Sequence, residues 1–70
     1  MKKLKQFIDN DLEYFTNLGN SEVETYDADV FDTETIDYLK TAKHNRFDYN
    51  GICVYLVAED NEVWVENMNS

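Results

Sequence analysis

The stretch Gly51-Ile-Cys-Val-Tyr-Leu-Val-Ala, followed after Glu59-Asp60-Asn61 and Glu62 by Val63-Trp-Val, constrains the fold of this chain more than any other. β-branched and aromatic residues suit a pleated surface, and two such runs divided by a short polar break predict an antiparallel β-hairpin. Alternation points Ile52, Val54 and Leu56 to one face and Cys53, Tyr55 and Val57 to the other. Both faces are apolar, so each needs at least partial cover from a helix or a partner.

The N-terminal third supplies one such cover. Leu4, Phe7, Ile8, Phe15 and Leu18 recur at three-, four- and seven-residue spacings, which predicts an amphipathic helix over 3–18 that stops at Gly19. Asp11 falls inside its apolar stripe. Either a cation or backbone donor partners Asp11, or the helix restarts near Asn10, which forms a capping-box pattern with Glu13. A partnered or rim position is the preferred reading.

A second helix is expected over 33–44, capped by Asp32 or Thr33, with Ile36, Leu39 and Ala42 as a narrow apolar stripe. Lys40, Lys43 and His44 then gather in its last turn, where the helix dipole favours cations. Between the helices, Val23 and Thr25 alternate with Glu22 and Glu24, and Ala28 and Val30 with Asp27 and Asp29. That period of two, with a parity slip near Tyr26, predicts an irregular or edge strand within 22–30. The Asn67–Ser70 tail is expected to fray. The sum is a single compact α+β domain over 1–70: two helices on a small antiparallel sheet made of the C-terminal hairpin and, in one version, a third strand from 22–30.

Seventy residues is near the lower limit for a domain held by its core alone. One cysteine, Cys53, excludes an internal disulfide, and no Cys/His run has zinc spacing. The basic opening reaches Asp9 and Asp11 before any useful apolar stretch, and nothing approaches the ~20 apolar residues of a membrane span, so a reducing cytoplasm is the expected compartment.

Charge is the strongest functional signal. Fifteen Asp and Glu against six Lys and Arg give a net charge of −9. No Lys or Arg lies between Lys5 and Lys40, where ten of the acids fall. Such a field repels nucleic acid and anionic membranes and attracts basic partners, although excess acid also serves plain solubility.

Catalytic patterns are absent from the sequence. Nucleophilic catalysis needs an activated nucleophile beside an oriented base, and His44 and Cys53 are the only His and Cys. The acid clusters at Asp9, Asp11 and Glu13 and at Asp27, Asp29, Asp32 and Glu34 do not fit a calcium loop: the first lacks its glycine and the second has Phe31 at a ligand position. Neither an enzyme nor a cofactor is expected.

What remains is the geometry of negative charge. On an extended strand, residues two apart lie roughly 6.6–6.8 Å apart on one side, so Glu22 with Glu24 and Asp27 with Asp29 are expected as carboxylate pairs. Duplex DNA presents about one charge per ≈ 1.7 Å of axis, and an acidic surface of similar density fits the same cationic groove. Glu22, Glu24, Asp27, Asp29, Asp32, Glu34 and Asp37 are the expected partner-binding acids, with Tyr26, Phe31 and Tyr38 as aromatic anchors.

In size, acidity and lack of catalytic groups the chain is similar to the phage and mobile-element proteins that disarm bacterial defences, including DNA-mimic anti-restriction and anti-CRISPR proteins. The resemblance is one of type, with no shared motif. It implies an inhibitor of a basic nucleic-acid-binding protein. The competing reading is an immunity protein, antitoxin or accessory subunit that binds a protein partner through the apolar hairpin faces, and self-association stays open.

Overall fold

The computed structural model describes residues 1–69. It is an α+β domain in which three short helices cover one face of a four-stranded antiparallel sheet. In chain order the elements are α1 (Lys2–Asn10), α2 (Leu12–Thr16), β1 (Glu24–Asp27), α3 (Thr33–Thr41), β2 (Arg46–Tyr49), β3 (Ile52–Val57) and β4 (Glu62–Asn67). Short 3-10 turns at Ala28–Val30, Lys43–Asn45 and Ala58–Asp60 join them.

The expected hairpin forms as β3 and β4, with Tyr55 opposite Trp64 and Val54 opposite Val65. Two edge strands complete the sheet in the order β1-β4-β3-β2. The strand expected within 22–30 is confined to 24–27 and pairs with β4, Tyr26 lying opposite Val63.

The second edge, β2, is not expected from the sequence pattern. Its signal is Asn50-Gly51, where both residues have positive φ (51° and 77°) and link Tyr49 to Ile52 across a two-residue turn. Asn-Gly is the favoured pair for such a turn, because its twist matches that of the flanking strands. Gly51 is therefore the second turn residue of a hairpin, not simply the entry to a strand.

The long first helix breaks in two at Asp11, whose φ of −126° and ψ of 27° leave the helical region. A straight helix would have driven Asp11 into the apolar stripe. The break keeps Leu4, Ile8 and Phe15 buried and leaves Asp11 exposed. This is the restart alternative, displaced by one residue and without a side-chain capping bond.

α3 also ends early. Ala42 turns extended, the Thr41 hydroxyl donates back to the Asp37 and Tyr38 carbonyls, and His44 and Asn45 adopt positive φ. Lys43 and His44 therefore lie beyond the helix, and only Lys40 remains in its last turn.

Alternation in the sheet decides the core. Ile52, Val54, Leu56, Val63 and Val65 point to the helices and pack with Leu4, Ile8, Phe15, Leu18, Ala28 and Leu39. Full burial of each large side chain stabilises the fold by roughly 1.5–3 kcal/mol. The chain end is tied to this core: Asn67 Nδ2 donates to the Thr16 and Leu18 carbonyls at 2.9 and 3.3 Å, and the Met68 amide to Gly51 at 2.7 Å. Through Met68 the tail is thus anchored where fraying was expected; Ser70 lies outside the described residues. No helix among the described residues is long and apolar enough to cross a membrane.

Candidate functional site

The acids expected to bind a partner follow the chain around the β1 edge and onto α3. They do not form the evenly spaced strand row that the sequence suggests. Glu22 precedes β1, and its Oε1 accepts from the Gly19 amide at 2.8 Å. Glu24 opens β1 on the helix side of the sheet and accepts a bond from the Tyr14 hydroxyl. Tyr14 is 53% exposed, and its hydroxyl pKa is pushed up first by the bond to Glu24, then by burial and the charges of Glu24, Glu22 and Asp11. Glu22, Glu24 and Asp11 thus act on one exposed phenol.

Asp27 and Asp29 are not a strand pair. The chain leaves the strand after Asp27, whose Oδ1 accepts from the Asp29 amide at 3.2 Å and caps the 3-10 turn. Asp27 lies on the opposite side of the sheet from Glu24, with Glu62 directly across from it on β4. Asp29 joins Asp37 along a shallow groove that Phe31, Ile36 and Lys40 also line.

Asp32 and Glu34 form the third group, at the start of α3. Asp32 Oδ1 accepts from the Thr35 amide at 2.8 Å, as an N-cap should, while Oδ2 meets Lys3 Nζ at 2.5 Å. Glu34 holds the same ammonium at 3.1 Å. These bonds, led by the one from Lys3, hold the Asp32 carboxyl down at about 2, and Lys3 is raised in turn.

The expected anchors divide. Tyr26 and Phe31 pack edge-on against Phe7, with ring centroids 5.4 and 5.1 Å away, and belong to the rim of the core. Tyr38 is 37% exposed and meets Phe47 edge-on.

Cations of the chain neutralise few of these charges. Among the described residues three of the fifteen acids stand in ion pairs, Asp32 and Glu34 with Lys3, and Asp48 with Arg46 at 2.9 Å. The other acids on and around the β1 edge have no cation in ion-pair reach, and of them Glu22, Asp27 and Asp29 are exposed while Glu24 is half-buried.

The sheet face turned away from the helices is a second feature. Tyr55 and Trp64 meet at its centre, centroids 5.9 Å apart, with Arg46, Asp48, Cys53, Val57, Glu62, Glu66, Thr25 and Asp27 around them by strand alternation and register. Cys53 is 1% exposed, and burial, aided by a bond to Asp48, pushes its thiol up to about 12. A thiol so placed carries almost no thiolate at neutral pH. His44 sits in the exposed Lys43–Asn45 turn. Among the described residues no three His, Cys, Asp or Glu side chains converge as metal ligands.

Sequence alternation marks Cys53, Tyr55 and Val57 as a second apolar face of β3 without saying what joins them. The run Glu62-Val-Trp-Val-Glu carries that information, since it places Glu62, Trp64 and Glu66 on one side of β4. No family model, curated protein or solved structure is matched by the chain.

Proposed function

We propose that this protein is a non-enzymatic inhibitor acting in the cytoplasm, which offers carboxylates where a basic protein expects nucleic-acid phosphates. Its target is a nucleic-acid-binding enzyme or complex, and its biological setting is counter-defence of the phage or mobile-element kind. The observation that carries the reading is the imbalance of charge: a net −9 on seventy residues, with three acids in ion pairs among the described residues. A surface left this electronegative steers a cationic partner from a distance and repels nucleic acid itself.

The groups around Tyr14, along the Asp29–Asp37 groove and at the start of α3 are the proposed contacts, with Tyr38 as the exposed ring among the expected anchors. Glu22, Glu24, Asp29 and Asp37 carry the attraction. Asp32 and Glu34, which share Lys3, contribute less. The non-enzymatic reading rests on the burial of Cys53 and the isolation of His44 on an exposed turn.

The test starts with the chain as bait in a bacterial lysate, followed by titration of the captured target with labelled DNA or RNA. Competition is expected: the apparent nucleic-acid affinity of the target falls as the inhibitor rises, and neutralising Glu22, Glu24, Asp29 and Asp37 to their amides weakens inhibition by about tenfold or more. A target that takes up nucleic acid at unchanged affinity while still holding the inhibitor would refute mimicry.

A further inference from the structure

The β-sheet has one face without helices, and its centre is aromatic. Trp64 and Tyr55 sit opposite each other on β4 and β3, both half-buried, with ring planes inclined at 58°. Each ring has a carboxylate at its polar edge: Trp64 Nε1 donates to Glu62 Oε1 at 3.0 Å, and the Tyr55 hydroxyl to Glu66 Oε2 at 3.4 Å. Glu62 and Glu66 are themselves half-buried, which distinguishes them from the exposed acids of α3. Asp27 lies beyond Glu62 on the neighbouring strand. The one cation on this face among the described residues, Arg46, is occupied by Asp48, to which it donates from Nε and Nη2 at 2.9–3.1 Å.

We propose that this open face docks an arginine-bearing basic segment of a protein partner, with a guanidinium stacked on Trp64 and Tyr55 and hydrogen-bonded to Glu62 and Glu66. Aromatic faces attract cations, and a planar guanidinium both stacks on a ring and forks onto a carboxylate, which an ammonium does not do. Two carboxylates fixed at the ring edges supply acceptors where such a fork would reach. Among the described residues on this face, Asp27, Asp48, Glu62 and Glu66 outweigh Arg46, so its charge complements a basic segment.

The same charge disfavours the other occupants. A second copy would bring an equally acidic face against this one. Single-stranded nucleic acid also stacks on aromatic sheets, but it needs a positive surround for its phosphates.

The inference rests on the reading of this chain as a binder of basic protein, yet it concerns a surface separate from the β1–α3 acids, and it is tested without the natural target. Trp64 is the only tryptophan, so its fluorescence reports this face alone. The intact chain is titrated with a short oligoarginine peptide and with oligolysine of equal length, and amide shifts are mapped by NMR. Oligoarginine should change Trp64 emission saturably, bind severalfold more tightly than oligolysine, and move amides of β2, β3 and β4 around Tyr55 and Trp64.

Glu62→Gln with Glu66→Gln should weaken it about five- to tenfold, while Asp9→Asn with Glu13→Gln, which removes the same charge from α1 and α2 on the helix layer, leaves it within about twofold. Shifts confined to the β1–α3 acids, equal affinity for the two peptides, or an unaffected Glu62/Glu66 variant would each overturn the proposal. So would a single-stranded oligonucleotide that saturably changes Trp64 emission, or a dimer that Tyr55→Ala dissolves. If the double variant loses its amide dispersion, the shift map of the unaltered chain decides. A positive map together with unchanged nucleic-acid uptake by the target would retain this surface and discard mimicry.

Discussion

Asp32 shows how one side chain can serve both the fold and the field. It caps α3 through the Thr35 amide and pins Lys3 from α1, joining two helices across a sequence separation of twenty-nine residues. Its folded pKa, about 2, lies below the ordinary 3.8, so the charged form is favoured by folding. The stabilisation is therefore complete above about pH 4 and fades as pH falls through about 2. In pH-dependent urea unfolding, Asp32→Asn should be less stable than the parent at neutral pH, and the gap should close between these values. The pair is half-exposed, so added salt should shrink the effect. A gap independent of pH would show that the carboxylate charge is not what holds the cap. Cys53 is the converse residue, whose isolation matters more than its chemistry. It lies under Arg46, Asp48 and Tyr55 on the open face, where burial favours the neutral thiol.

At the scale of elements, the β2–β3 turn has the sharpest requirement. Gly51 holds φ at +77°, and a Cβ there would also meet the Asn69 side chain. Gly51→Ala should lower stability by about 1 kcal/mol or more, read as a lower urea midpoint at unchanged slope. An unchanged midpoint would mean that the turn can relax out of this conformation. The break at Asp11 works differently. It is set by the cost of burying a carboxylate, and it turns one amphipathic pattern into two short helices, of which α1 packs near β2 and α2 near β4. Early termination of α3 likewise frees the chain to reach the β2 edge, which a helix continuing to residue 44 would not allow.

Across the whole molecule, self-repulsion is the largest consequence of the charge. A net −9 with few internal ion pairs destabilises the compact state, and salt screens that repulsion as the Debye length falls to about 10 Å near 0.1 M. The melting temperature should rise with added sodium chloride and level off above about 0.15 M. A fall instead would mean that attractive pairs such as Lys3 with Asp32 outweigh the excess acid. This cost is also the physical argument for a function in the charge, because solubility alone requires less of it. Binding to a basic partner removes the repulsion, and so should stabilise the chain most at low salt.

Much of this was legible in the residues taken singly and in short runs. Alternation gave β3 and β4, the three- and four-residue spacings gave the buried faces of α1 and α2 but only Leu39 of α3, which buries Thr35 where Ile36 and Ala42 were expected, Asp32 gave a cap, and the gap between Lys5 and Lys40 gave the field. These are local properties, fixed by backbone periodicity and by charge, and they hold wherever the segments end up. Strand β2 was also written in the sequence, as Asn50-Gly51 between Tyr49 and Ile52, but in a four-residue run too short and polar to stand out.

Only the tertiary structure decided the rest. Packing placed β1 beside β4, sent Glu24 and Asp27 to opposite sides of the sheet, and gave Lys3 to Asp32 and Glu34. It also chose which face of the hairpin the helices cover, leaving Tyr55 and Trp64 on the other. β3 is apolar on both sides, so its own pattern could not make that choice; it follows from the register that sets Tyr55 beside Trp64, on the side of β4 that carries Glu62 and Glu66, and from contacts between segments distant in the chain, whose free energy depends on the whole assembled core.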